Sequence, residues 1–177
     1  MERVKKSPIV DALRREQANA VQLYLQYKGY HWNVSGPLFH DLHTMFDAHA
    51  KDVFETIDTL AERQRILGAI AEYSAESVSR LTTLKVDGSV PATPKEMVER
   101  LVASHRIILR ELKAAYELAN DANDAGTVDL LTQVTSVHEK MEWFLREIIE
   151  SRAAVLEGHG IGLVAPAAKH VVVPAGR

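Results

Sequence analysis

The stretch HTMFDAHAKDVFETIDTLAE, residues 43–62, reads as one unbroken helix carrying two pairs of ligand-type side chains, His43/Asp47 and Asp58/Glu62. Members of each pair are four residues apart, so they sit one turn apart on the same helix face. From Asp47 to Asp58 the chain turns through about 1,100°, a net drift of only about 20° at roughly 100° per residue, so all four share a broad stripe. Along the axis the two pairs lie about 16 Å apart, whereas bonds from a metal to nitrogen or oxygen are about 2.0–2.2 Å long. No single ion is held by all four. The pairs are, however, mirror images about a point between Asp52 and Val53. A two-fold axis through that point sets His43 opposite Glu62 of a second copy, and Asp47 opposite its Asp58. The pattern predicts metal sites completed between two copies, each with one imidazole and three carboxylates.

A further imidazole, His31, ends the preceding apolar run at Tyr30-His31-Trp32, and the turn Ser35-Gly36-Pro37 folds the chain back towards His43. Hard carboxylate oxygens mixed with borderline imidazole suit Fe(II), Mn(II) or Zn(II) better than Mg or Ca. On iron, open coordination positions would support redox chemistry. Any one pair alone is what a solvated helix face shows by chance; the mirror-symmetric set with His31 is not.

Outward from this segment the text stays helical. Ser7-Pro8 supplies an N-cap and a first-turn proline, and Val10, Leu13, Val21, Tyr24 and Leu25 recur at helical spacing to about Val34. A second helix is predicted from Leu38 to near Leu67, closed by Gly68, then a short one over 75–84. Thr93-Pro94-Lys95-Glu96 reads as a capping box opening a third long helix, with Met97, Leu101, His105, Ile108, Leu112 and Tyr116 as its apolar stripe. That helix should end by Asn123, and Gly126-Thr127 should open a fourth with Val134, Val137, Met141, Leu145 and Ile148 facing inward. Four long amphipathic helices predict an all-α four-helix bundle. The long second-to-third connection is a ferritin-like crossover. The expected organisation is a short N-terminal tail over 1–6, a bundle domain over 7–157 and a C-terminal tail over 158–177.

At 177 residues and 46% hydrophobic the chain can bury one substantial core. It has no cysteine, which excludes disulfides, zinc ribbons and thiol catalysis and fits a reducing cytoplasm. No apolar run approaches the roughly 20 residues of a membrane span. The formal charge of −3 argues against a generally basic, DNA-coating surface.

Of the other histidines, His105 and His138 fall in apolar stripes and read as hydrogen-bonded core residues. His40 reads as solvated, and His49, about 200° round the helix from Asp47, should not join its ion. His159 and His170 lie in the tail. Asp121, Asp124 and Asp129 cluster where the third and fourth helices join. They read equally as an acidic cation entrance between copies or as ordinary helix-terminus acids. Di-iron bundles that build their centre inside one chain use Glu-x-x-His pairs. No glutamate here has a histidine three residues on, which strengthens the reading of a site between chains.

The run Tyr30-His31-Trp32-Asn33-Val34-Ser35-Gly36, then Phe39, Leu42-His43 and Asp47, then Asp58-Thr59-Leu60-Ala61-Glu62-Arg63, closely resembles the Dps family of miniferritins, DNA-binding proteins from starved cells. The resemblance spans roughly Ser7 to Arg152. It implies a ferritin-like bundle with a short extra helix between the second and third helices, assembly into a dodecameric shell, and a ferroxidase centre shared across each two-fold interface. His31, His43 and Asp47 match the ligands of one subunit, Asp58 and Glu62 those of its neighbour. The segment 124–129 resembles the family's acidic pore, with Ala125 and Gly126 making it less acidic. The function implied is Fe(II) oxidation by hydrogen peroxide and storage of ferric mineral, with zinc as a competing ion, in the cytoplasm and in contact with the nucleoid. A competing reading is a DNA-compacting shell with little ferroxidase activity, and a third is a metal-free scaffold. Family members commonly bind DNA through lysine-rich tails; here the tails offer only Arg3, Lys5, Lys6, Lys169 and Arg177, so weak DNA binding is expected.

Overall fold

The described residues form five helices and no strand: α1 (Pro8–Asn33), α2 (Phe39–Ile66), α3 (Ala75–Leu81), α4 (Pro94–Asp121) and α5 (Ala125–Leu156). The computed structural model describes residues 7–156 other than 37 and 87, and of 151–156 the backbone alone. Both expected tails, with His159 and His170, lie outside the described residues.

Side-chain pairs give the helix directions. Gln17 meets Gln64 and Tyr27 meets His49, so α1 and α2 are antiparallel; Gln26 meets Ser104 and Asn19 meets Glu111, so α4 runs against α1 and with α2. The connection from α2 to α4 therefore crosses the length of the bundle, as the long loop predicts. Buried amides on α1 hold it there. Gln17 donates to the Glu72 carbonyl at 2.8 Å, and the Asn19 carbonyl accepts from Thr83 N–H at 2.8 Å and the Thr82 hydroxyl at 3.0 Å. Capture of Thr82 and Thr83 explains why α3 stops at Leu81, three residues short of expectation.

Helix ends follow local chemistry. Ser7 is at the first N-cap but its hydroxyl makes no cap bond. The Thr93 hydroxyl accepts from Glu96 N–H at 3.2 Å, while the Glu96 carboxylate reaches back to Ala92 N–H, one residue before the usual capping-box donor. Gly68, at φ 81°, closes α2: its N–H donates to Arg65 O and that of Ala69 to Gln64 O, the paired bonds of a Schellman motif. Asn123, at φ 54°, does the same for α4, with Asp124 N–H on Ala119 O.

The core is a continuous column led by Leu13, Leu23, Tyr27, Phe46, Leu60, Leu101, Leu112, Leu131, Met141 and Leu145. Each such side chain stabilises the fold by about 1.5–3 kcal/mol through burial. Two stripe members turn outward instead: Leu25 on α1 and Tyr116 near the end of α4 are exposed.

Candidate metal centre

His31 closes α1 and His43 opens α2, so the short turn between the helices brings the two imidazoles into contact. Their rings stack with centroids 3.8 Å apart. Each Nδ1 lies on the other residue's backbone carbonyl, at 2.8 Å from His31 to His43 O and 2.9 Å from His43 to His31 O. A carbonyl can only accept, so both Nδ1 atoms carry the proton, and each Nε2 keeps its lone pair for an ion. The sequence placed these two histidines at one level; the reciprocal lock is the structure's addition.

One turn beyond His43, Asp47 is held by two lysines, Lys28 Nζ at 2.8 Å and Lys51 Nζ at 2.7 Å. Their hydrogen bonds, Lys28 first and then Lys51, hold its carboxyl well below the ordinary carboxylate range. Lys28 also lies 5.7 Å over the Trp32 ring, which is largely exposed. A cation arriving at Asp47 must compete with these ammonium groups. Lys51 was findable as the residue four after Asp47; Lys28, on the other helix, was not.

Asp58 and Glu62 lie further along the same helix, exposed to solvent. Among the described residues no three histidine or carboxylate side chains converge tightly enough to hold an ion. One chain therefore presents two separate groups of ligand-type side chains, His31/His43/Asp47 and Asp58/Glu62.

The other singled-out residues divide clearly. Asp124 caps α5, accepting from Thr127 N–H at 3.1 Å and the Thr127 hydroxyl at 2.6 Å, and is paired with Arg63. Burial alone would raise its carboxyl, but the Thr127 bonds and the Arg63 charge overcome this and hold it below the ordinary value. Asp121 and Asp129 are exposed, and Asp129 accepts from Gln133. His40 is exposed, as expected. His105 and His138 are core residues, joined Nδ1 to Nδ1 at 3.1 Å. His49 is also buried, and the Tyr27 hydroxyl links it at 3.1 Å to His105 Nε2 at 2.6 Å. Burial keeps all three imidazoles neutral, pushing His49 and His138 down to about 4 and His105 well below 6.5. A second buried group escaped the sequence reading. Glu16 is pushed up to about 8, first by burial and then by the Glu111 charge, against the opposing pull of Arg15 and Asn19.

A match to the ferritin-like domain family spans residues 10–153. The chain is 36% identical to the DNA protection during starvation protein of Brevibacillus brevis, over 78% of its own length and 92% of the relative's. The X-ray structure of Dps from Thermosynechococcus elongatus is similar with a TM-score of 0.79 at 39% identity, covering 90% of this chain and 96% of that one. A Dps of Vibrio cholerae O1, described as a member of a broad superfamily of ferritin-like diiron-carboxylate proteins, gives 0.75 at 30% identity over 78% and 86%. Bundle, crossover and family match define a ferritin-like protein, and within that class the chain belongs to the Dps family.

Proposed function

We propose that the chain is an iron-storing ferroxidase whose sites form between two copies. Fe(II) binds where His31, His43 and Asp47 of one copy meet Asp58 and Glu62 of another, zinc competing for the same ligands. Hydrogen peroxide is the oxidant: two Fe(II) each give one electron, the O–O bond breaks, and two protons complete two waters. The ferric product hydrolyses and is stored as mineral in a dodecameric shell, which removes iron and oxidant together.

The residues supply separate parts of this chemistry. Carboxylates neutralise the ion and favour the ferric state, while the Nδ1-locked imidazoles turn Nε2 towards it. Lys28 and Lys51 keep Asp47 ionised and in place until a cation displaces them. Asp121 and Asp129 line the iron entrance where copies meet, with Asp124 anchoring that corner through Arg63. The observation that carries the reading is the reciprocal imidazole lock on one half-site, set against a mirror-related acidic half-site with no third ligand of its own.

Complementation tests it. His43→Ala and Asp58→Ala chains should each fail to oxidise Fe(II) with peroxide. Dissociated, mixed equally and reassembled, half the two-fold pairs are mixed, and each mixed pair rebuilds one intact site of two. About a quarter of the wild-type absorbance rise should return; no return rejects the shared site, and no rise in the wild type rejects the ferroxidase.

The relatives' name supports a second reading, a DNA-protecting shell located with the nucleoid in the cytoplasm. A net charge of −3 per chain opposes contact with a polyanion. A gel shift at low salt that vanishes at physiological ionic strength is the expected result.

A further inference from the structure

Trp143, half-exposed on α5, opens a line of rings that ends in the bundle core. Its centroid is 4.9 Å from that of Phe144, Phe144 is 6.1 Å from His49, and His49 is 5.4 Å from the fully buried Tyr27. His49 and Tyr27 are also joined directly, Nδ1 to hydroxyl at 3.1 Å. Packing alone puts rings in contact. It does not account for the two ends, an indole and a phenol, which are the side chains of this line that give up one electron most easily.

Each end has a base on the atom that must then lose a proton. The Trp143 indole N–H donates to the Glu147 carboxylate at 3.0 Å, and the Tyr27 hydroxyl lies 2.6 Å from His105 Nε2. With one proton in each contact and the shorter bond taking the hydroxyl proton, His49 Nδ1–H donates to the Tyr27 oxygen. His105 then keeps its own proton on Nδ1 and donates it to His138 Nδ1 at 3.1 Å. Burial first, and then the Asp52 charge, hold the Tyr27 hydroxyl well above its ordinary ionisation range. A free tyrosinate therefore does not form, and an electron leaves Tyr27 only as its proton crosses to His105 along a bond already made. Trp32, the other tryptophan, is arranged differently: Lys28 Nζ lies 5.7 Å over its ring and opposes a positive hole there.

We propose that Trp143 and Tyr27 form a radical-quenching relay, in which a hole made at the surface by an inorganic one-electron oxidant passes inward to the core. In the outer step the oxidant radical takes one electron from the indole and becomes an anion, while the indole proton moves to Glu147. In the inner step Tyr27 returns one electron to Trp143 past Phe144 and His49. Its hydroxyl proton moves to His105 Nε2, and Glu147 gives the indole its proton back. The sum is one oxidant radical reduced, Tyr27 left as a neutral phenoxyl radical, and His105 left as an imidazolium hydrogen-bonded to His138. The inference does not depend on the ferroxidase reading.

Pulse radiolysis with azide radicals on the assembled, iron-free, full-length protein tests it, read through the separate absorption bands of tryptophanyl and tyrosyl radicals. Exposed Tyr73 gives a prompt tyrosyl signal of its own. Beyond that, a delayed tyrosyl rise should match the tryptophanyl decay, with a first-order rate that does not change with protein concentration. Trp143→Phe and Tyr27→Phe should each abolish the delayed rise, and Trp32→Phe should keep it. Trp143→Phe changes only a half-exposed ring, so it decides the matter even where Tyr27→Phe does not assemble. Absence of a delayed rise in the wild type, its survival in Trp143→Phe or in assembled Tyr27→Phe, or its loss in Trp32→Phe would overturn the proposal.

Discussion

Raising the pH from 6.5 to 8.5 should cost this protein stability, and Glu16 is the reason. Its carboxyl sits at about 8 in the folded chain against an ordinary 4.5, because burial and the neighbouring Glu111 disfavour the charge. Between those two values the folded state holds a proton that the unfolded chain has released. Stability is therefore fully present below about 4.5 and is lost as pH rises through about 8. At about 1.36 kcal/mol per unit, a shift of this size has an upper bound of about 5 kcal/mol. The part of this lost on the alkaline limb, between pH 6.5 and about 8, is about 2 kcal/mol. The buried imidazoles act in the opposite sense. His49 and His138, lowered from 6.5 to about 4, and His105, lowered further, must gain charge as pH falls, so their contribution is lost on acidification below 6.5. Stability should thus peak near pH 6.5, with the acid limb set by histidines and the alkaline limb by one glutamate. Urea unfolding at fixed protein concentration, from pH 4.5 to 8.5, measures both limbs. Glu16→Gln keeps the shape and removes the titration, so its alkaline limb should flatten and its acid limb should steepen, Glu16 no longer opposing the histidines there. Parallel curves for the two proteins above pH 6.5 would refute the reasoning.

Two further outcomes follow from side-chain contacts. Replacing Lys28 and Lys51 by Met removes both competitors for Asp47; Fe(II) titrated anaerobically should bind more tightly, by about tenfold at low salt, with the gain shrinking as ionic strength rises. Gly126→Ala should destabilise by no more than about 1 kcal/mol in denaturant unfolding, because its Cβ would lie 3.0 Å from the Arg63 guanidinium and shift it slightly on Asp124 and Thr127, against alanine's better helix propensity.

Helix count, crossover and the meeting of His31 with His43 were legible because each rests on local signals. The Gly68 stop, the Thr93-Pro94 start and the tight turn after Asn33 are all written within a few residues of where they act. What was not legible depends on partners far along the chain. Asn19 ends α3 by seizing Thr82 and Thr83 from more than 60 residues away, and hydropathy marks an asparagine only as polar. Glu16 belongs to the same class: a glutamate on a helix reads as solvated until α4 and the crossover close over it. Asp124 read equally as a pore acid or a helix-terminus acid, and its pairing with Arg63, 61 residues back on α2, is a contact that no local signal marks.

The contents of the bundle interior explain why metal chemistry would sit on its surface. A di-iron centre within one chain needs carboxylates converging among the helices. At mid-height this bundle instead holds Tyr27, His49, His105 and His138, one polar side chain from each long helix, linked in a single hydrogen-bonded line. Neutral imidazoles and a phenol tolerate burial because each bond to a neighbour offsets part of its desolvation, and none needs an ion for balance. Carboxylates in the same place would need metal or protons, as the raised Glu16 demonstrates. With the interior closed to cations in this way, the ligand-type residues of α2 lie on its outer stripe, where water and the two lysines keep Asp47 charged. On the proposed shared site, such a group would stay ionised in the free chain and meet its remaining ligands only when another copy covers it, which would make assembly and iron binding two sides of one equilibrium.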